Sequence, residues 1–133
     1  MTNNDKLIND SLDRCMEDGT FMDRFYQHFI NSSPKVAEKF AETDMDKQKR
    51  MMDASLHMLM LLSADTTAGM AHVRHIGKTH SQAQHNITPE LYDCWFESLM
   101  QTVREYDSQL TPEIEAAWGD TLKPGIATMQ AMY

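Results

Sequence analysis

The segment FMDRFYQHFINSSPKVAEKF, residues 21–40, sets Phe21, Phe25 and Phe29 four positions apart with Tyr26 beside them. Side chains at that spacing lie one above another on an α-helix, so the three rings form one stripe that needs a large packing partner. Ser33 followed by Pro34 reads as a cap and a first helical residue. The serine oxygen takes an orphan backbone N–H, and proline lacks the N–H that would go unbonded there. A short second helix therefore starts at Pro34 and ends near Phe40. Upstream, Gly19 and Thr20 break an amphipathic helix over about residues 4–17 that turns Leu7, Ile8, Leu12 and Met16 inward.

Downstream, Asp44 caps a long helix in which Gln48, Met52, Leu56 and Leu59 recur at helical spacing to about Leu62. A polar loop from Ser63 to Thr67 leads into a helix whose apolar face, Met70, Val73 and Ile76, continues into His80. Thr88-Pro89 and Thr111-Pro112 open two further helices, each with a glutamate in the first turn, where negative charge suits the helix dipole. Inside the last helix, Pro124 and Gly125 predict a kink or a restart. With only 5 Gly and 4 Pro but 12 Met, the composition agrees with an all-α fold of six to seven helices. The length suits one domain over residues 1–133.

A net charge of −8, from 20 acidic against 12 basic residues, excludes a polyanion-binding surface, so no nucleic-acid partner is expected. The longest apolar run, Met58 to Leu62, is too short for a membrane span, and residues 1–15 lack the apolar core of a signal peptide. A cytoplasmic protein without a membrane partner is the expectation. Cys15 and Cys94 form no CxxC pair, which argues against a zinc knuckle and for reduced, structural thiols.

Among the 6 histidines, His28, His57, His72, His75 and His85 show no convergent ligand spacing, and His72 with His75 lacks a carboxylate to complete a zinc set. His80 differs because it extends an apolar stripe. Periodicity alone leaves two readings of it open, a core-edge histidine bonded to a backbone carbonyl and a metal ligand. Tyr26 is likewise a buried tyrosine satisfied by backbone or a pocket donor, and Gln48 a solvated helix residue or a second donor.

The chain as a whole resembles single-domain bacterial globins and the globin domain of flavohaemoglobins. Phe25-Tyr26-Gln27-His28-Phe29, then Ser33-Pro34 and Phe40, is similar to that family's B helix, short C helix and haem-stacking phenylalanine, with 14 positions from Tyr26 to Phe40. Gln48-Lys49-Arg50-Met51-Met52 resembles the distal E-helix segment, and 32 positions separate Gln48 from His80. Thr88-Pro89-Glu90-Leu91-Tyr92 looks like the start of the G helix and Ala117-Trp118-Gly119 like part of the H helix. No one motif is specific; the ordered set, spanning about residues 20–120, is.

The resemblance implies a globin fold whose helices sandwich one haem b per chain. It makes His80 the iron ligand and Tyr26 and Gln48 the distal donors. Phe25, Phe40, Met51 and Met52 become apolar contacts, Val73 and Ile76 wall the His80 side, and Tyr92 steadies the proximal histidine by hydrogen bonding. His75, Arg74 and Lys78 would reach a haem propionate. The implied ligands are diatomic gases, O2, NO and CO, for binding, sensing or NO detoxification. No Gly-rich nucleotide fingerprint is present, so turnover would need an external reductase. There are two departures from the flavohaemoglobin pattern. The His80-to-Pro89 segment is about two residues longer, which makes His85 a rival ligand. The carboxylate that bonds into the proximal histidine network has no counterpart in residues 126–130. The alternative from another class is a haem-free helical signalling or interaction domain on a globin frame. Oligomeric state and the physiological gas are left open by the sequence.

Overall fold

The computed structural model describes residues 3–133, and over them the chain forms seven helices with no strand among the described residues. They are α1 (Asn3–Met16), α2 (Phe21–Ser32), α3 (Pro34–Phe40), α4 (Met45–Ala64), α5 (Thr66–Thr79), α6 (Pro89–Tyr106) and α7 (Pro112–Ala131). The caps act as their sequence suggests at three starts: Ser33 accepts from Lys35 N–H at 3.2 Å, Asp44 from Lys47 N–H at 3.2 Å and Thr111 from Ile114 N–H at 3.2 Å. Thr88 makes no such side-chain bond, and there Pro89 alone sets the start.

The stripe of α2 is buried whole, Phe21 and Phe25 to 1 % exposure, and packs on α6. Phe21 meets Tyr106 edge-on at 5.5 Å, and Phe25 meets Trp95 at 6.2 Å. In α1, Ile8 and Leu12 are buried, while Leu7 and Met16 flank them half-buried. Cys15 is also fully buried, and burial pushes its thiol up to about 12, which keeps it protonated and unreactive. No helix of the described chain is long and apolar enough to cross a membrane.

Two expectations need correction. Instead of a loop from Ser63 to Thr67, a single residue, Asp65, separates α4 from α5. Its N–H bonds the Leu61 carbonyl at 2.7 Å and its carboxylate accepts from Ala68 N–H at 3.2 Å, so it ends one helix and caps the next. Gly69 permits the tight hairpin: a Cβ there would stand 2.6 Å from the Leu62 backbone nitrogen. Gly69→Ala should therefore cost about 1–3 kcal/mol through forced separation of the helices. Urea unfolding would show it, and an unchanged midpoint would refute the close approach as a constraint.

The second correction concerns Pro124, which does not break α7. Pro124 and Asp120, whose carbonyl loses its bond, both lie on the exposed side, where that carbonyl can face solvent. On the inner side Gly125 fits against Leu62 and Val73, with a hypothetical Cβ only 3.1 Å from each, and this packing holds the helix in line.

A buried polar network ties α1 to the end of α6 and to α7. Asp107, 4 % exposed, accepts from Ser11 Oγ at 2.6 Å, Arg14 Nη2 at 2.9 Å and Gln109 N–H at 2.9 Å. The fully buried Trp118 donates its Nε1–H to Ser11 Oγ at 3.0 Å. Burial raises the Asp107 pKa, but Arg14, Ser11 and the Gln109 N–H outweigh it and hold the carboxyl below its usual value. A folded-state pKa below the unfolded one gives stability that is present above the unfolded value and lost as pH falls through the folded one. Asp107→Asn should cost about 1.5–3 kcal/mol at pH 7. Its deficit should shrink in acid, as pH falls below the unfolded carboxylate value of about 3.9, as urea titrations at pH 7 and in acid would show.

Candidate functional site

The candidate residues of α4 and α5 lie at the end of the hairpin away from Asp65. From Asp65 the two helices run back along each other, and Ser55 Oγ meets His72 Nε2 at 2.9 Å midway. Beyond that bond, the first turns of α4 and the last turns of α5 share no side-chain hydrogen bond among the described residues. Gln48 and Met52 lie on this part of α4, and Ile76 and His80 on this part of α5. Val73, fully buried, anchors α5 just before it.

On the α2 side, Tyr26 is 2 % exposed and its hydroxyl oxygen accepts from Gln48 Nε2 at 3.1 Å. The hydroxyl therefore keeps its own hydrogen, for which no acceptor exists among the described residues. Burial pushes its pKa up to about 12, offset slightly by the Gln48 bond, so it is a neutral donor at physiological pH. Of the two readings of Tyr26, backbone satisfaction is excluded; Gln48 is half-buried and spends its amide on the tyrosine. Phe40, at the end of α3, stands edge-on to Tyr26 at 5.6 Å and to Phe29 at 5.8 Å, and Phe25 lies 5.0 Å from Tyr26. Met52 is half-buried against the hydrophobic core, whereas Met51 is 56 % exposed.

On the α5 side, His80 is the C-cap residue, its N–H bonding the Ile76 carbonyl at 2.9 Å. Burial, with His85 and His75 nearby, pushes its imidazole down to about 4. The ring is therefore neutral at pH 7 and offers a lone pair, the form a metal takes. Its Nδ1 is buried without a hydrogen-bond partner, contrary to the ordinary reading of a histidine bonded to a backbone carbonyl. The expected hydrogen bond from Tyr92 is also absent. That ring packs 6.2 Å from His80, tilted 41°, and its contribution is contact. Among the described residues no carboxylate hydrogen-bonds to Nδ1. His85, with its ring 6.1 Å from that of His80, is exposed, and its segment is held by backbone bonds from His85 N–H to Thr79 and from Ile87 N–H to His80.

Phe29 was not among the expected site residues, yet it touches both Phe25 and Phe40 and completes the aromatic wall. Its position on the Phe21–Phe25 stripe was the available signal. No cluster of three or more His, Cys, Asp or Glu residues suited to a metal ion occurs among the described residues, so a lone histidine is the candidate ligand.

Comparison with known proteins places the fold. The Globin family model matches residues 23–129. A Pseudomonas aeruginosa PAO1 protein, whose crystal structure is described as structurally highly homologous to a human hemoglobin, superposes with a TM-score of 0.92. It shares 36 % sequence identity, over 98 % of each chain. No curated protein matches the sequence. With seven helices in this order among the described residues and a family match over most of its length, the chain belongs to the globins, a haem-binding family.

Proposed function

We propose that the chain holds one haem b between α4 and α5 through His80 and binds a diatomic gas, dioxygen, NO or CO, on the side of Tyr26 and Gln48. The observation that carries this reading is the Tyr26 hydroxyl, buried, protonated and without an acceptor for its hydrogen. Leaving such a donor unused costs about 1–3 kcal/mol, a cost that a bound ligand at this position would remove. The neutral His80 ring fits the opposite role.

When bound, the iron porphyrin would supply a coordination position that a gas can take. The chain controls what enters. Tyr26 donates its hydrogen to the ligand, and Gln48 fixes the hydroxyl by donating to its oxygen. Phe25, Phe40 and Met52 exclude water on that side, with Met51 at the rim. Val73, Ile76 and the ring of Tyr92 fix the orientation of His80. Because Nδ1 of His80 lacks an acceptor, the imidazole is less basic than one bonded to a carboxylate, and its electron donation is weak. That favours reversible binding over bond-cleaving chemistry. Storage, sensing and NO detoxification share this pocket, the last with an external reductase. Pyridine haemochrome analysis of haem-loaded protein tests the reading: one haem b per chain with a reversible dioxygen spectrum is expected. A chain that takes up no haem when it is supplied would instead be a helical interaction domain.

A further inference from the structure

Residues 66–88 and 121–133 contain no aspartate or glutamate, in a chain with 20 acidic residues against 12 basic ones. The two segments pack together: a Cβ on Gly77 would stand 2.5 Å from the Met132 sulfur, and one on Gly125 3.1 Å from Val73. Arg74 and Lys78, one turn apart on α5, are exposed and have no carboxylate partner among the described residues. Lys6, Arg14, Arg24, Lys35, Lys49 and Arg104 each have one. Lys39 of α3 reaches the same region, its ammonium donating to the His85 carbonyl at 3.2 Å, but Glu38 and Glu42 flank it in sequence, so the free charge is that of α5. The cations at the start of α4 differ, since Lys47 and Arg50 are interleaved with Asp44, Asp46 and Asp53. Lys123, over the Phe96 ring, also has no carboxylate partner among the described residues but stands apart on α7; Arg74 and Lys78 thus make the α5 face beside His80 locally positive in an acidic protein.

We propose that this face docks an acidic, electron-carrying protein that reduces the iron after oxidation. The proposal rests on the haem reading above. The partner gives up one electron, taking ferric iron to ferrous, and no bond forms or breaks. A net charge of −8 repels an acidic partner at long range, so approach is favourable only where the local potential is reversed. This gives orientation as well as attraction.

The test uses a pre-reduced acidic plant-type ferredoxin as the probe and stopped-flow reduction of the ferric, haem-loaded chain. Arg74→Glu/Lys78→Glu is compared with Lys6→Glu/Arg104→Glu, which changes net charge equally but elsewhere. The expected result is a rate that falls with added salt and drops about tenfold or more at low salt in the α5 variant only. Equal slowing in both variants, or in neither, would overturn the proposal. Amide shifts of the haem-free chain titrated with the same ferredoxin give a readout independent of haem. Perturbation confined to residues 66–88 and the end of α7 supports docking even if the haem reading fails. A map elsewhere refutes docking even if haem binds. An α5 variant that loses haem affinity while its shift map matches wild type would assign Arg74 and Lys78 to the haem carboxylates and overturn the proposal.

Discussion

Replacing Tyr26 by phenylalanine is expected to speed dioxygen release by about 10- to 150-fold, while carbon monoxide release changes little. The hydroxyl is held at the pocket by an amide that donates to it, so its hydrogen points to no protein acceptor. Dioxygen, the more polarised of the two proposed ligands, would accept a charge-assisted bond worth about 1.5–3 kcal/mol, and losing that bond sets the expected range of rates. The substitution removes one oxygen atom from a site walled by Phe25 and Phe40, so packing is nearly conserved. Flash photolysis and stopped-flow release of both gases measure the effect. Equal acceleration of both would mean that Tyr26 shapes the pocket sterically and does not act as a donor.

The second large effect is expected at His80. His80→Ala should abolish histidine ligation, whereas His85→Ala should leave it intact. Both histidines sit in the segment after α5, but their environments differ. His80 extends the Val73 and Ile76 face and is desolvated enough to stay neutral to about pH 4. His85 points out of an exposed stretch pinned through its backbone to Thr79 and Lys39. For His85 to replace it, the bonds from His85 N–H to the Thr79 carbonyl, from Lys39 to the His85 carbonyl and from the N–H of the left-handed Asn86 (φ 53°) to the Ser81 carbonyl would have to break. Retention of a wild-type spectrum in His80→Ala together with its loss in His85→Ala would reverse the assignment.

Much of this was legible in the sequence because local chemistry and tertiary need agree. Ser33-Pro34 and Asp44 start helices by capping, and the Phe21, Phe25 and Phe29 stripe is buried as its period requires. Where the two diverge, the sequence misleads. Ser63, Thr66 and Thr67 are loop-like in composition, yet α4 and α5 continue through them because Asp65 serves both ends. Pro124 is a helix breaker by itself, and only its solvent-facing position and the fit of Gly125 neutralise it. At the site, residue identity announced His80 and Tyr26. The hydrogen bond between Gln48 and Tyr26, the empty Nδ1 and the loss of the expected Tyr92 bond depend on side-chain geometry that no spacing encodes.

The most direct test of haem binding through His80 is the carbon monoxide difference spectrum of reduced wild type and His80→Ala, each purified after expression with haem supplied. The account predicts a Soret band in wild type that shifts on carbon monoxide and is lost or altered in the variant. A wild-type chain without a Soret band, or a variant whose spectra match wild type, would contradict it.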